Sequence, residues 1–157
     1  MNEQLVDPIG SRPARVLPMA DHVFVFVYGT LRTGEANDIN RLSPRPRFAG
    51  FAVAEGELFD FGRHPGIVLR PGASRVLGEV YACTAELIRT LDEIELSYPE
   101  QPGLYRQAWC DVVCGGRSLR CLVYELTDGG VSSRGRFGPA ELLDWVSWRL
   151  RRADDAG

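Results

Sequence analysis

The sequence predicts an α+β domain built on a small closed or highly curved mixed β-barrel with a few flanking helices. Short β-branched and aromatic runs follow one another along most of the chain. Glycines punctuate them. Only two segments carry a helical period, so helices do not alternate with strands as a doubly wound sheet requires.

Val23 to Val27 is a continuous apolar run, the signature of a strand buried on both faces. Tyr28-Gly29-Thr30-Leu31 follows it, then a polar stretch from Arg32 to Asn40 with room for a short helix. Phe48 to Phe61 reads as short strands separated by turns or bulges at Gly50 and Gly56, ending near Gly62. His64-Pro65-Gly66 reads as a turn, Ile67 to Leu69 as a strand, and Val76 to Cys83 as another. A two-residue Gly115-Gly116 turn sets the register of the next hairpin, placing Asp111 opposite Arg120, Trp109 opposite Leu122, Val112 opposite Leu119 and Cys110 opposite Cys121. One hairpin face is then wholly apolar (Ala108, Cys110, Val112, Cys114, Leu119, Cys121, Val123).

Thr84 is a good N-cap for a helix over Ala85 to Glu95, with Glu86 in its first turn. A C-terminal helix over 139–151 starts at a proline and ends in arginines. Its expected stripe is Leu142, Leu143, Val146 and Leu150, with Trp145 beside it, and its expected role is packing on the barrel. The domain is expected to span 21–152, after a flexible extension over 1–20 and before a tail over 153–157.

The 157 residues suit one domain with its own core. The net charge of −3 gives no electrostatic footprint for nucleic acid or an anionic membrane. All the positive charge is arginine. No apolar run approaches the roughly 18 residues of a membrane span, and the start lacks a signal-peptide pattern. The expectation is a cytoplasmic protein with a small-molecule or protein partner. Cys83, Cys110, Cys114 and Cys121 form no C-x-x-C pair and lie far from His22 and His64, so buried reduced thiols are expected rather than a metal site.

The first helix carries a carboxylate on an unexpected face. At 100° per residue, Leu87, Ile88, Leu91 and Ile94 cluster, Arg89 and Glu93 point away, and Asp92 falls near the boundary. Asp92 and Glu93 read as solvated. Glu95 returns to the apolar stripe one turn beyond Leu91. An ionised carboxylate aimed at a core is costly unless paired or functional, and burial raises its pKa toward the range useful for proton transfer. At a helix end, the same side chain can instead turn to solvent. In the loop, glycine lets the backbone turn sharply and present N–H groups to a carboxylate or developing oxyanion, although Tyr-Gly-Thr also suits an ordinary turn.

Four segments in order resemble the gamma-glutamylcyclotransferase-like family, which includes the gamma-glutamylamine cyclotransferases: VFVYGTLRTG, GFAVAEGELFDFGRHPGIVL, VLGEVYACTAELIRTLDEIE, and YRQ followed by the hairpin ending CLVYEL. The resemblance covers about Val23 to Leu126. It implies that Tyr28, Gly29, Thr30 and Leu31 cradle a glutamyl group and that Glu95, closing the LDxxE motif, is the catalytic acid/base. The implied reaction is release of 5-oxoproline and a free amine from a γ-glutamyl amine or peptide, with no metal or organic cofactor. Tyr105, Arg106 and Tyr124 are further substrate-contact candidates, with packing at the barrel rim as the alternative for each.

Three positions depart from the family's pattern. The YxR motif is here Tyr105-Arg106-Gln107, Leu96-Ser97 follows the glutamate where many relatives have glycine, and Glu35 stands at a commonly small position. These departures leave substrate choice open. A non-catalytic small-acid-binding module on the same fold, or a pathway enzyme removing a γ-glutamyl group, are the alternatives.

Overall fold

The computed structural model describes residues 15–16, 22–96, 103–127, 135–137 and 141–156. In chain order the elements are β1 (Arg15–Val16), β2 (His22–Val27), β3 (Arg47–Asp60), β4 (Pro65–Leu69), β5 (Ser74–Thr84), α1 (Ala85–Leu96), β6 (Tyr105–Cys114), β7 (Arg117–Leu126), β8 (Gly135–Arg136) and α2 (Trp145–Ala156). Most of the expected 1–20 extension lies outside the described residues.

Five strands close a ring. β2 pairs antiparallel with β5, β5 with β3, β3 with β6 and β6 with β7. The parallel contact Val25 to Leu122 between β2 and β7 then shuts the barrel, so the sheet is mixed as expected. β4 adds to the far half of β3, and the short β1 and β8 pair with β7 and β3.

Strand alternation divides the apolar residues between two compartments. One holds Phe24, Phe26, Ala52, Val80, Val112, Cys121 and Val123. The other holds Val25, Val27, Tyr81, Cys83, Leu122 and Tyr124 together with Leu87 and Leu91 of α1. Five strands enclose too little space for a helix, so the first set fills the barrel and α1 covers the second from outside. Both faces of β2 and β7 are therefore dry, which is why Val23 to Val27 reads as an unbroken apolar run.

The β6–β7 register is the expected one throughout, including Cys110 opposite Cys121. Gly115 and Gly116 have φ of 58° and 78°, the pair of left-handed conformations that a two-residue turn demands. All four cysteines are free. Burial pushes the Cys83 thiol up to about 12 and Cys110 to about 11, which suppresses thiolate chemistry.

Three expectations need correction. Phe48 to Phe61 is not a series of short strands: β3 is one 14-residue strand, irregular between Phe48 and Gly50. Its two halves are paired by different neighbours, so it continues through Gly56 without a turn. Pro65 and Gly66 belong to β4 rather than to a turn.

The C-terminal helix begins at Trp145, not at 139, and runs to Ala156 through the expected tail; residues 138–140 lie outside the described residues. Leu143 is held in extended form beside Val76, its N–H bonding the Arg75 carbonyl at 2.7 Å and its carbonyl accepting from Leu77 at 2.9 Å. Asp144 then caps the helix, accepting from the N–H groups of Val146 and Ser147 and from the Ser147 hydroxyl. The expected stripe holds only in part: Leu143 and Val146 pack on the barrel core. Trp145 is fully buried, whereas Leu142 and Leu150 are exposed.

Candidate active site

α1 starts without a linker because Thr84, the last residue of β5, caps it: the Leu87 N–H donates to its hydroxyl at 3.2 Å. Leu87 and Leu91 are fully buried and fix the helix's rotation. That rotation carries Glu95, one turn beyond Leu91, into a cavity at the end of β2. Tyr28, Gly29, Thr30, Leu31, Tyr105 and Tyr124 line the same cavity, so seven of the eight residues selected from the sequence meet in one place. Arg106 does not join them. It points elsewhere and pairs with Glu125 at 3.2 Å.

Glu95 has the perturbed carboxyl of the site. Its Oε2 is enclosed, with no hydrogen-bond partner among the described residues. Burial alone pushes its pKa up from an ordinary 4.5 to about 7, where it can accept and return a proton near neutrality.

The loop after β2 is held by its own carbonyls. Those of Gly29, Thr30 and Leu31 accept from the N–H groups of Arg32, Asn37 and Ile39 at 2.9–3.0 Å. Below it lies a buried polar network. Arg32 bonds Glu79 at 3.0 Å and Asp144 at 2.8 Å, while Glu79 also accepts from the Thr33 backbone and the Tyr81 hydroxyl. Glu35 is buried as well, in a two-point pair with Arg149 of α2 at 2.7 and 2.8 Å. Its departure from a small residue is thus accommodated by a charge on the C-terminal helix. Leu96 packs against the outer apolar cluster.

Each tyrosine hydroxyl is committed. Tyr28 donates to the Tyr124 carbonyl at 2.7 Å and accepts from the Ile67 N–H at 3.1 Å, tying β2 to β7 and β4. The Tyr124 hydroxyl donates to Asp92 at 2.7 Å. Burial first, and the Asp92 carboxylate second, push its pKa up, so it stays a neutral donor. Tyr105 donates to the Pro65 carbonyl and lies 2.8 Å from His64 Nδ1. With its one proton spent on Pro65, Tyr105 must accept from His64, which assigns the proton to Nδ1.

The sequence reading missed two contributors. His64 lines the cavity and stacks on Phe61, its ring centroid 5.2 Å away. Asp92, read as solvated, anchors Tyr124 and accepts from Gln107 at 2.7 Å. The available signal was its spacing: three residues before Glu95, it shares that helix face. Nothing local marked His64, whose partner Tyr105 lies on a distant strand.

Gly29 is required by close approach. A Cβ there would meet Pro65 Cγ at 2.5 Å. Gly29→Ala is expected to push the loop from β4, lowering kcat/KM at least tenfold while costing about 1–3 kcal/mol of stability, as read by steady-state kinetics and urea unfolding.

Among the described residues no cluster of three or more His, Cys, Asp or Glu is placed to hold a metal ion, and no helix is long and apolar enough to cross a membrane.

A closed five-stranded mixed barrel carries at one end a glycine loop and a carboxyl whose pKa burial raises, facing one small cavity. Comparison with known proteins gives that arrangement its family. The model of the family described as gamma-glutamyl cyclotransferase, AIG2-like, matches residues 25–147. The chain belongs to that family.

The gamma-glutamylaminecyclotransferase of Bos taurus is 36% identical over 110 residues, 64% of this chain and 63% of the relative. The gamma-L-glutamyl-butirosin B gamma-glutamyl cyclotransferase of Niallia circulans is 28% identical over 142 residues, 87% of this chain and 85% of the relative. The chain thus spans somewhat under two thirds of the bovine protein's length. Among solved structures, an AIG2-like protein from Mus musculus superposes with a TM-score of 0.60 at 24% identity, covering 78% of this chain and 88% of that one. These likenesses carry the barrel fold beyond the family match itself.

Proposed function

We propose that this protein is a γ-glutamyl cyclotransferase that releases 5-oxoproline and a free amine from a γ-glutamyl amine or peptide. The observation that carries the reading is the Glu95 carboxyl, whose buried Oε2 has no hydrogen-bond partner among the described residues, lining the same cavity as the Tyr28–Leu31 loop. In the reaction, Glu95 in its ionised form takes a proton from the substrate's α-ammonium. The freed amine attacks the γ-carbonyl, closing a five-membered ring through a tetrahedral intermediate. The bond to the leaving nitrogen then breaks as protonated Glu95 returns its proton there. The ring nitrogen gives up its second proton to the departing amine, which leaves as an ammonium, so one substrate yields one lactam and one protonated amine with Glu95 ionised again.

The amides of Gly29 to Leu31 are suited to the substrate's carboxylate or the oxyanion. Tyr124, kept neutral and aimed by Asp92, and Tyr105, braced by His64, shape the wall that keeps the glutamyl chain curled. Acid/base assistance of this kind contributes about 10²–10⁴-fold, and holding amine against carbonyl contributes much of the remainder.

The test is 5-oxoproline release from a panel of γ-glutamyl amines and γ-glutamyl dipeptides, with Glu95→Gln as control. Release by the native chain and its loss in the variant are expected. No turnover across the panel, with saturable binding of a small acid, would instead establish a binding module.

A further inference from the structure

A second concavity, of about 420 Å³, adjoins the catalytic cavity, with Thr30 forming a wall of both. Three arginines line it, Arg41, Arg63 and Arg149, together with the carboxylate of Glu35. Glu35 is satisfied by Arg149 in the two-point pair, so its charge is cancelled locally. Arg41 bonds the backbone carbonyls of Glu35 and Ala36 at 2.9 and 2.8 Å, neutral acceptors that fix its guanidinium, while the nearby Asp38 carboxylate offsets part of its charge. Arg63 is exposed and has no hydrogen-bond or ion-pair partner among the described residues. In a chain of net charge −3, this groove therefore carries an uncompensated positive charge. It is also contiguous with the catalytic cavity in sequence, since Arg63 immediately precedes the cavity residue His64.

We propose that the groove is a subsite for an anionic group, such as a carboxylate, on the amine that leaves, and that Arg63 is its specificity-determining residue. The inference rests on the γ-glutamyl reading above. A substrate whose glutamyl part fills the cavity beside Thr30 extends its remaining part past that residue into the groove. Guanidinium groups there select a carboxylate over an amide or an ammonium, and Arg41, already oriented, loses little freedom on binding.

Matched probes that differ only in the charge of the leaving amine test it: γ-glutamylglycine and γ-glutamylglycinamide. Turnover is measured on the native chain, and binding by calorimetry on Glu95→Gln, where the probes persist. The acid is expected to exceed the amide about five- to tenfold in both kcat/KM and affinity, the advantage shrinking at about 0.5 M salt. Arg63→Ala in either background brings that ratio close to one, whereas Arg120→Ala, which removes a charge on the β6–β7 hairpin, leaves it unchanged.

Equal handling of the two probes, or an Arg63→Ala effect that is the same for both, overturns the proposal, because the arginines would then read only the shared glutamyl carboxylate. Retained acid preference in binding without 5-oxoproline from any substrate overturns the enzyme reading and leaves the anionic groove standing. Absence of both binding and turnover overturns both.

Discussion

Glu95→Gln is expected to lower 5-oxoproline release by about 10²–10⁴-fold while leaving the barrel folded. The amide keeps the shape of the carboxyl but can neither accept the α-ammonium proton nor return one to the leaving nitrogen. Since burial places Glu95 at about 7, the native chain's kcat/KM should rise about tenfold per pH unit below neutrality and level off above it. Residual activity in the variant should lose that limb.

Stability should move the opposite way with pH. Burial raises Glu95 in the folded chain, so folding favours its neutral form. That contribution is fully present below the unfolded value of about 4.5 and is lost as pH rises through about 7. The glutamine variant is always neutral there. It should match the native chain at about pH 4.5 and exceed it by about 1–3 kcal/mol at about pH 8, seen as a Tm several degrees higher. Equal Tm differences at both pH values, with activity retained, would sink the acid/base role.

The largest loss of stability is expected from Arg32→Met. Arg32 is buried and neutralises two carboxylates at once, Glu79 at 3.0 Å and Asp144 at 2.8 Å. Removing a buried cation leaves its partners uncompensated, a cost of about 3–5 kcal/mol, larger than the worth of the intact pair. The damage should be concentrated in the loop that Arg32 closes, so KM should rise in whatever fraction remains folded. Combining Arg32→Met with Glu79→Gln should recover part of the loss, because a side-chain amide carries no charge yet still offers an acceptor to Thr33 and Tyr81. Urea unfolding of the two single variants and the double variant gives the coupling directly. A cost below about 1 kcal/mol for Arg32→Met would show that water reaches the pair and screens it.

Much of this architecture follows from local pattern. The hairpin register came from two adjacent glycines, and its strand faces had one consistent solution. Thr84 and the Leu87–Leu91 spacing located α1 and turned Glu95 inward. What local pattern handled poorly was backbone whose partners are distant. Leu143 looks helical by spacing but gives its hydrogen bonds to β5, and Gly56 resembles punctuation until a strand lies on each side of β3.

By itself, the sequence determined glycine-punctuated strands with few helices, the loop after Val27 and the helix face on which Glu95 falls, because period, caps and turn residues act over a few neighbouring positions. The tertiary structure decided how that carboxylate is surrounded. It brought His64 to Tyr105 and Asp92 to Tyr124, buried Arg32 between Glu79 and Asp144, and set Arg149 against Glu35. The residues of the Arg32 and Glu35 pairs lie from 47 to 114 positions apart. No periodicity encodes such pairs, because their partners meet only when the barrel closes and the C-terminal helix docks on it.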